Sequence, residues 1–196
     1  MEPVNEESIE DEMKPEVTIE RARPEDAEEM VNLNAKSWMD TYPNEELGIT
    51  AEMINRRVYG KNKEKIADRI GRYRHRIETQ NDTDHAMFVA RHNGKIIGIS
   101  QPHLEQHKGQ LRRRLGGLYV LKEHLRKGVG KQLIEQALRW HGNHDVYLTV
   151  TSYNKRAIKF YKDFGFEFTS ELVVDEPADP DDVKLPELEM VRRATL

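Results

Sequence analysis

The sequence predicts a mixed α/β fold in which one sheet carries helices on both faces, in the order β-α-α-β-β-β-α-β-α-β-β. The hydrophobic period switches repeatedly between two and 3.6 from residue 17 onward. Strand-like and helix-like segments alternate along the chain. Asn93-Gly94 stands between two apolar stretches, residues 86–92 and 95–100. That dipeptide is a strong hairpin signal, because both central residues tolerate positive φ.

The elements follow in order. Residues 17–22 alternate as a strand. Arg23-Pro24-Glu25-Asp26 opens a helix, with Pro and two acids in a first turn whose free N–H groups favour them. Its apolar face is Ala27, Met30, Val31, Leu33, Ala35 and Trp38. A second helix over about 61–80 repeats Ile66, Ile70, Tyr73 and Ile77 at helical spacing. Its other faces carry Lys61, Lys63, Lys65, Arg69, Arg72, Arg74 and Arg76. After the hairpin, residues 118–121 form a strand. A helix over about 128–140 follows, with Val129, Leu133, Ile134, Ala137 and Leu138 in one stripe and Gly142 as its left-handed cap. Residues 145–151 are a strand with Val146, Leu148 and Val150 on one face. Residues 154–164 are a helix, and strands near 166–174 and 186–192 complete the series.

Composition bounds the function. The chain has 196 residues, which suits one domain, and a net charge of -4 with pI near 6.1. Basic nucleic-acid modules usually exceed a pI of roughly 9, so that class is disfavoured. Cys is 0, which removes disulfides, thiolate metal sites and a cysteine nucleophile. No apolar run approaches the ~18 residues of a membrane span. Residues 1–13 carry six acidic side chains and no basic one, which predicts a mobile acidic tail over 1–14 ahead of a domain over 15–196. A second acidic run, residues 175–182, reads as a surface loop between strands. The expected location is cytoplasmic.

Two stretches carry the chemistry. In residues 116–131, GGLYVLKEHLRKGVGK, a short strand enters a turn whose glycines, Gly128 and Gly130, stand at the mouth of a helix. Unpaired N–H groups there, with the helix dipole, attract phosphates, and Lys127 and Lys131 add charge. A tight strand–helix turn alone would explain the same residues. The spacing fits neither a Walker loop nor a dinucleotide fingerprint, whose third glycine position is Leu133. In residues 151–166, TSYNKRAIKFYKDFGF, Asn154 is a good N-cap, and Ala157, Ile158, Phe160, Tyr161 and Phe164 face a core. Alone, Tyr161 reads as a core tyrosine.

Together the two stretches resemble the Gcn5-related N-acetyltransferase (GNAT) superfamily, whose pattern is Q/R-x-x-G-x-G/A opening one helix and N-x-x-A-x-x-F-Y in the next, followed by G-F. Gly128, Gly130, Asn154, Ala157, Phe160, Tyr161, Gly165 and Phe166 fall into register. The resemblance implies a largely antiparallel mixed sheet and transfer of an acetyl group from acetyl-CoA to a primary amine, by direct attack in a ternary complex. It implies that backbone N–H groups of Arg126, Lys127, Gly128, Val129, Gly130 and Lys131 hold the pyrophosphate. The strand Tyr119, Val120 and Leu121 would pair with the pantetheine arm and polarise the thioester carbonyl. Asn154 would hydrogen-bond the cosubstrate and Tyr161 would protonate the departing thiolate. Strands after Tyr119 and around Leu148 would splay around it.

The chain departs from the pattern at Leu125, where relatives carry Gln or Arg, at Arg126, usually a small residue, and at Arg114, where many carry a glutamate as the base. The open candidates for that base are His103, Glu105 or a water chain. The pairs His103/His107 and His141/His144 have metal-like spacing but read as surface histidines, so no metal is expected. Trp38 and Tyr42 are core or pocket. In a pocket, Asp40, Glu45 and Glu46 would favour a cationic acceptor such as a polyamine or peptide amine. The expected partner is a small-molecule or peptide amine, with no nucleic acid and no membrane; a homodimer stays open. A rival reading is a GNAT fold that binds CoA without catalysis.

Overall fold

Asn93 and Gly94 sit at φ 51° and 75°, the left-handed pair that closes a two-residue hairpin. Around that hairpin the computed structural model, which describes residues 16–60, 63–173, 175, 177 and 182–195, builds one seven-stranded sheet. Its strands are β1 (Thr18–Arg21), β2 (Phe88–His92), β3 (Lys95–His107), β4 (Gln110–Val120), β5 (Val146–Thr151), β6 (Glu167–Val173) and β7 (Glu187–Arg192). Their order in space is β1-β2-β3-β4-β5-β7-β6, and every neighbouring pair is antiparallel except β4–β5.

Five helices cover the sheet: α1 (Ala27–Thr41), α2 (Ala51–Tyr59), α3 (Lys63–Glu78), α4 (Val129–His141) and α5 (Lys155–Asp163). Period-two alternation along residues 87–90, at the start of β2, sends Met87 and Val89 to one face and Phe88 and Ala90 to the other. The first pair packs with Met30, Leu33 and Ile77 of α1 and α3, the second with Val129 and Leu133 of α4. Each fully buried side chain of this size contributes about 2 kcal/mol. Residues of α4 and α5, with β5 and β7, form a further cluster around Leu148, Phe166 and Met190.

Helix α2 is an addition to the predicted order. Thr50 Oγ1 accepts from the Met53 N–H at 3.2 Å, and Gly60 ends the helix at φ 73°. Only Ile54 and Val58 of α2 are buried, too few to mark an apolar stripe. Strands β3 and β4 also run well beyond the expected 95–100 and 118–121. The outer half of β4 is rich in arginine, yet Arg112 and Arg114 pair with Glu105 on β3 and Glu189 on β7, so charge holds strands together here. The acidic tail expected over residues 1–14 lies outside the described residues, as do 174, 176 and 178–181 near the second acidic run. Among the described residues no helix is long and apolar enough to cross a membrane.

Candidate active site

Strands β4 and β5 run parallel but share register only at Arg113–Val146 and Arg114–Tyr147. Beyond those pairs they part. A cleft of about 460 Å³ opens between Leu115 to Val120 on one side and Thr149 to Thr151 on the other. The splay implied by the resemblance is therefore present. On β4 it is accompanied by a bulge, because Ser100 pairs with Leu118 while Pro102 pairs with Leu115. The extra residue falls at Gly116-Gly117. A Cβ on Gly116 would stand 2.5 Å from the His103 ring, so only glycine fits this close approach.

Backbone pairing sorts the predicted strand residues. The Leu121 N–H donates to Ile97 O at 3.0 Å and is spent inside the sheet. Antiparallel ladders alternate every second residue, so Tyr119 faces β3 in the same way, while Leu118 and Val120 turn their backbone groups to the cleft. Leu121 itself packs against the core.

At one end the cleft meets the start of α4. Arg126 and Gly128 take left-handed φ of 64° and 82°, folding the chain back so that its amides converge. The first bond of the helix runs from the Gln132 N–H to Gly128 O, which leaves the amides of 129–131 without a helical acceptor. Arg126, Gly128, Gly130 and Lys131 line the cleft. Lys127 is exposed and the Val129 side chain is buried in the core, so those two contribute backbone alone. Asn154 lines the cleft and caps α5, its Oδ1 accepting from the Ala157 N–H at 3.1 Å.

The other end is built of side chains. Trp38 Nε1 donates to Tyr119 Oη at 3.0 Å, and Tyr42 packs edge-on against Trp38. The Arg57 guanidinium lies 5.0 Å from the Trp38 ring and is held by Asp175 and by Val183 O. Tyr153 Oη donates to Tyr42 O at 2.7 Å. Trp38 and Tyr42 thus line the pocket. Asp40, Glu45 and Glu46, expected beside them, are exposed and outside the lining; the carboxylate that lines it is Glu187, with Thr149 alongside.

Tyr161 stands between the two ends, buried against Phe160 and Phe166, and burial pushes its pKa well above the ordinary tyrosine value. The hydroxyl therefore keeps its proton at neutral pH. Neither expected base reaches the cleft lining. Glu105 is tied to Arg112 at 2.5 Å and Arg114 at 3.2 Å. His103 packs under the β4 bulge, its Nδ1 3.3 Å from Gln101 O, with its pKa lowered by burial. His141, expected at the surface, is buried at the end of α4, and burial together with the Arg113 charge depresses its pKa to about 3. Among the described residues no group of three or more acidic or histidine side chains is placed to hold a metal ion.

A family model described as "Acetyltransferase (GNAT) family" matches residues 50–166, more than half of the chain. The chain belongs to the GNAT acetyltransferase family. Solved structures show the same fold. The PaiA N-acetyltransferase of Thermoplasma acidophilum in complex with coenzyme A is 21% identical, with a TM-score of 0.64 over 91% of this chain and 99% of that one. YncA of Salmonella typhimurium, with its cofactor acetyl-CoA, is 17% identical, with a TM-score of 0.61 over 90% and 93%. Naa20 of Chaetomium thermophilum, in complex with a bisubstrate analogue, is 22% identical, with a TM-score of 0.58 over 90% and 86%. No curated protein matches the sequence.

Proposed function

We propose that this GNAT protein, through residues 15–196, acetylates a primary amine by direct attack on acetyl-CoA in a ternary complex. The observation that carries this reading is the β4–β5 splay, a cleft with free amides at one end and a buried tyrosine hydroxyl along its wall. The converging amides of 126–131, with Lys131 beside them, suit a pyrophosphate, and Asn154 retains an amide NH₂ to donate. The Val120 N–H is turned to the gap, where it would oppose negative charge developing on a carbonyl oxygen. Acetyl-CoA supplies an activated thioester to that position. Tyr161, protonated at neutral pH, supports sulfur as it leaves by donating its proton. A hydroxyl in that place favours catalysis over a binding-only role.

The test is thermal melting with and without acetyl-CoA, followed by thiol release across an amine panel. A ligand that binds the native state alone at about 100 times its Kd adds roughly 2.7 kcal/mol, visible as a raised midpoint. A rise with thiol release supports the reading. Thiol release from no amine, despite the rise, favours the binding module, and no rise at all rejects the cleft as a CoA site.

A further inference from the structure

Among the described residues that line the cleft, Glu187 is the one carboxylate, and no histidine accompanies it. The remaining polar side chains there are poor proton acceptors. Arg57, Arg126, Lys131 and Arg156 are cationic, and burial raises Tyr42, Tyr119 and Tyr161 above the ordinary tyrosine range. The neighbouring acids are engaged. Glu105 and Glu189 hold Arg112, and Asp175 holds Arg57 while accepting the Leu185 N–H at 2.7 Å. No described residue closes a salt bridge with Glu187.

Its position is fixed by the sheet. Glu187 begins β7, pairing with Thr151 on β5 and Val173 on β6, and its side chain enters the aromatic end of the cleft. Thr149 of β5, which accepts from Arg114 at 3.1 Å, lines the cleft beside it. The charged and titratable groups facing it are Arg114 of β4, Arg57 of α2, Asp175 after β6, Tyr42 just after α1 and Tyr119 of β4. We infer that Glu187 is the group that receives the proton of the acceptor ammonium, filling the role left open where Arg114 replaces the usual glutamate. This rests on the amine-acetyltransferase reading.

The proton balance closes. The ammonium gives one proton to the Glu187 carboxylate, and the freed amine forms the C–N bond as the C–S bond breaks. The thiolate takes the Tyr161 proton, and the nitrogen of the new amide loses its second proton, directly or through solvent, to restore that hydroxyl. The net products are amide, thiol and one proton, which Glu187 releases to water. Burial, with Asp175 adding to it, lifts the Glu187 carboxyl above its ordinary value, while Thr149, Arg114 and Arg57 oppose the rise. The acid is thereby a better acceptor than a solvated glutamate.

The experiment compares the wild type with Glu187→Gln and Glu187→Asp, using tyramine, spermidine and a lysine hexapeptide as acceptors. Acetyl-CoA-induced stabilisation and kcat/KM between pH 5 and 10 are both measured. Wild-type kcat/KM should rise through one ionisation on the acid side and then level. Glu187→Gln should lose about 100-fold or more at pH 7. Its residual rate should climb about tenfold per pH unit toward the amine pKa near 10, because only free amine then reacts. Its acetyl-CoA stabilisation should be retained, and Glu187→Asp should restore the plateau. A Glu187→Gln profile matching the wild type overturns this assignment while leaving the acetyltransferase reading intact, as does loss of acetyl-CoA stabilisation together with turnover. A wild type that binds acetyl-CoA but acetylates none of the three amines overturns both.

Discussion

The two ends of the cleft are made from different parts of the chain. At the α4 end the groups turned inward are amides, oriented by left-handed turns at Arg126 and Gly128 within one short segment. At the other end they are side chains of Trp38, Tyr42, Arg57, Thr149 and Glu187, drawn from α1, α2, β5 and β7. The first end depends on backbone conformation, so replacing a side chain such as Leu125 alters little as long as the turns persist. The second depends on ion pairs and ring contacts between distant segments. An isosteric change there alters charge, packing and neighbouring pKa values together.

Tyr161 joins the two ends, and its loss gives the largest effect. Tyr161→Phe should lower kcat by about 100-fold or more while leaving acetyl-CoA binding unchanged. Steady-state kinetics beside a binding titration separates the two, and an unchanged kcat would remove the hydroxyl from the reaction.

At the side-chain end, Asp175→Asn should destabilise the protein by about 2 kcal/mol at pH 7, since the Arg57 guanidinium loses a charged hydrogen-bond partner. Despite burial, Arg57 and the Leu185 N–H hold the Asp175 carboxyl below its ordinary value. Its contribution is therefore fully present above the unfolded-state value of about 3.9 and fades as pH falls through the folded one. Urea titrations at pH 7 and pH 3 should show the difference between variant and wild type shrinking. The same change removes a negative neighbour of Glu187, so the acid-side ionisation of kcat/KM should move to lower pH.

The smallest effect belongs to the backbone end. No atom lies within 4 Å of a Cβ placed on Gly128, so Gly128→Ala isolates the conformational cost of φ 82°. That cost is about 1 kcal/mol, and if the substitution pulls the turn away from its native φ, acetyl-CoA affinity should weaken by roughly fivefold. An unchanged Kd would show that the turn is not what holds the cosubstrate.

This division also explains what could be read from the sequence. Residues 125–131 and 154–166 each fold within themselves, so glycine spacing and an apolar stripe carried their geometry, and α4, α5 and the hairpin at Asn93-Gly94 were legible. Glu187 was not, because it sits in a strand reading ELEMVR, where an acid normally marks the solvent side. Asp40, Glu45 and Glu46 lie close in sequence to Trp38 and Tyr42, but the chain turns them outward. The strand character of residues 110–117 was hidden by three arginines, two of which pair with acids on β3 and β7. Partners far along the chain leave no local pattern.

The brief β4–β5 register has a mechanical consequence. Two residue pairs make up the whole backbone ladder between strands β1–β4 and strands β5–β7–β6, Arg112 and Arg114 add ion pairs to Glu189 across it, and α4 spans the seam, giving Val129 and Leu133 to one cluster and Ile134 and Ala137 to the other. The sheet is thus two leaves on one spine. Cooperative opening units tend to follow such boundaries, so the two leaves can open at different free energies. A molecule lodged in the gap acts as a keystone, coupling the two leaves so that they yield together.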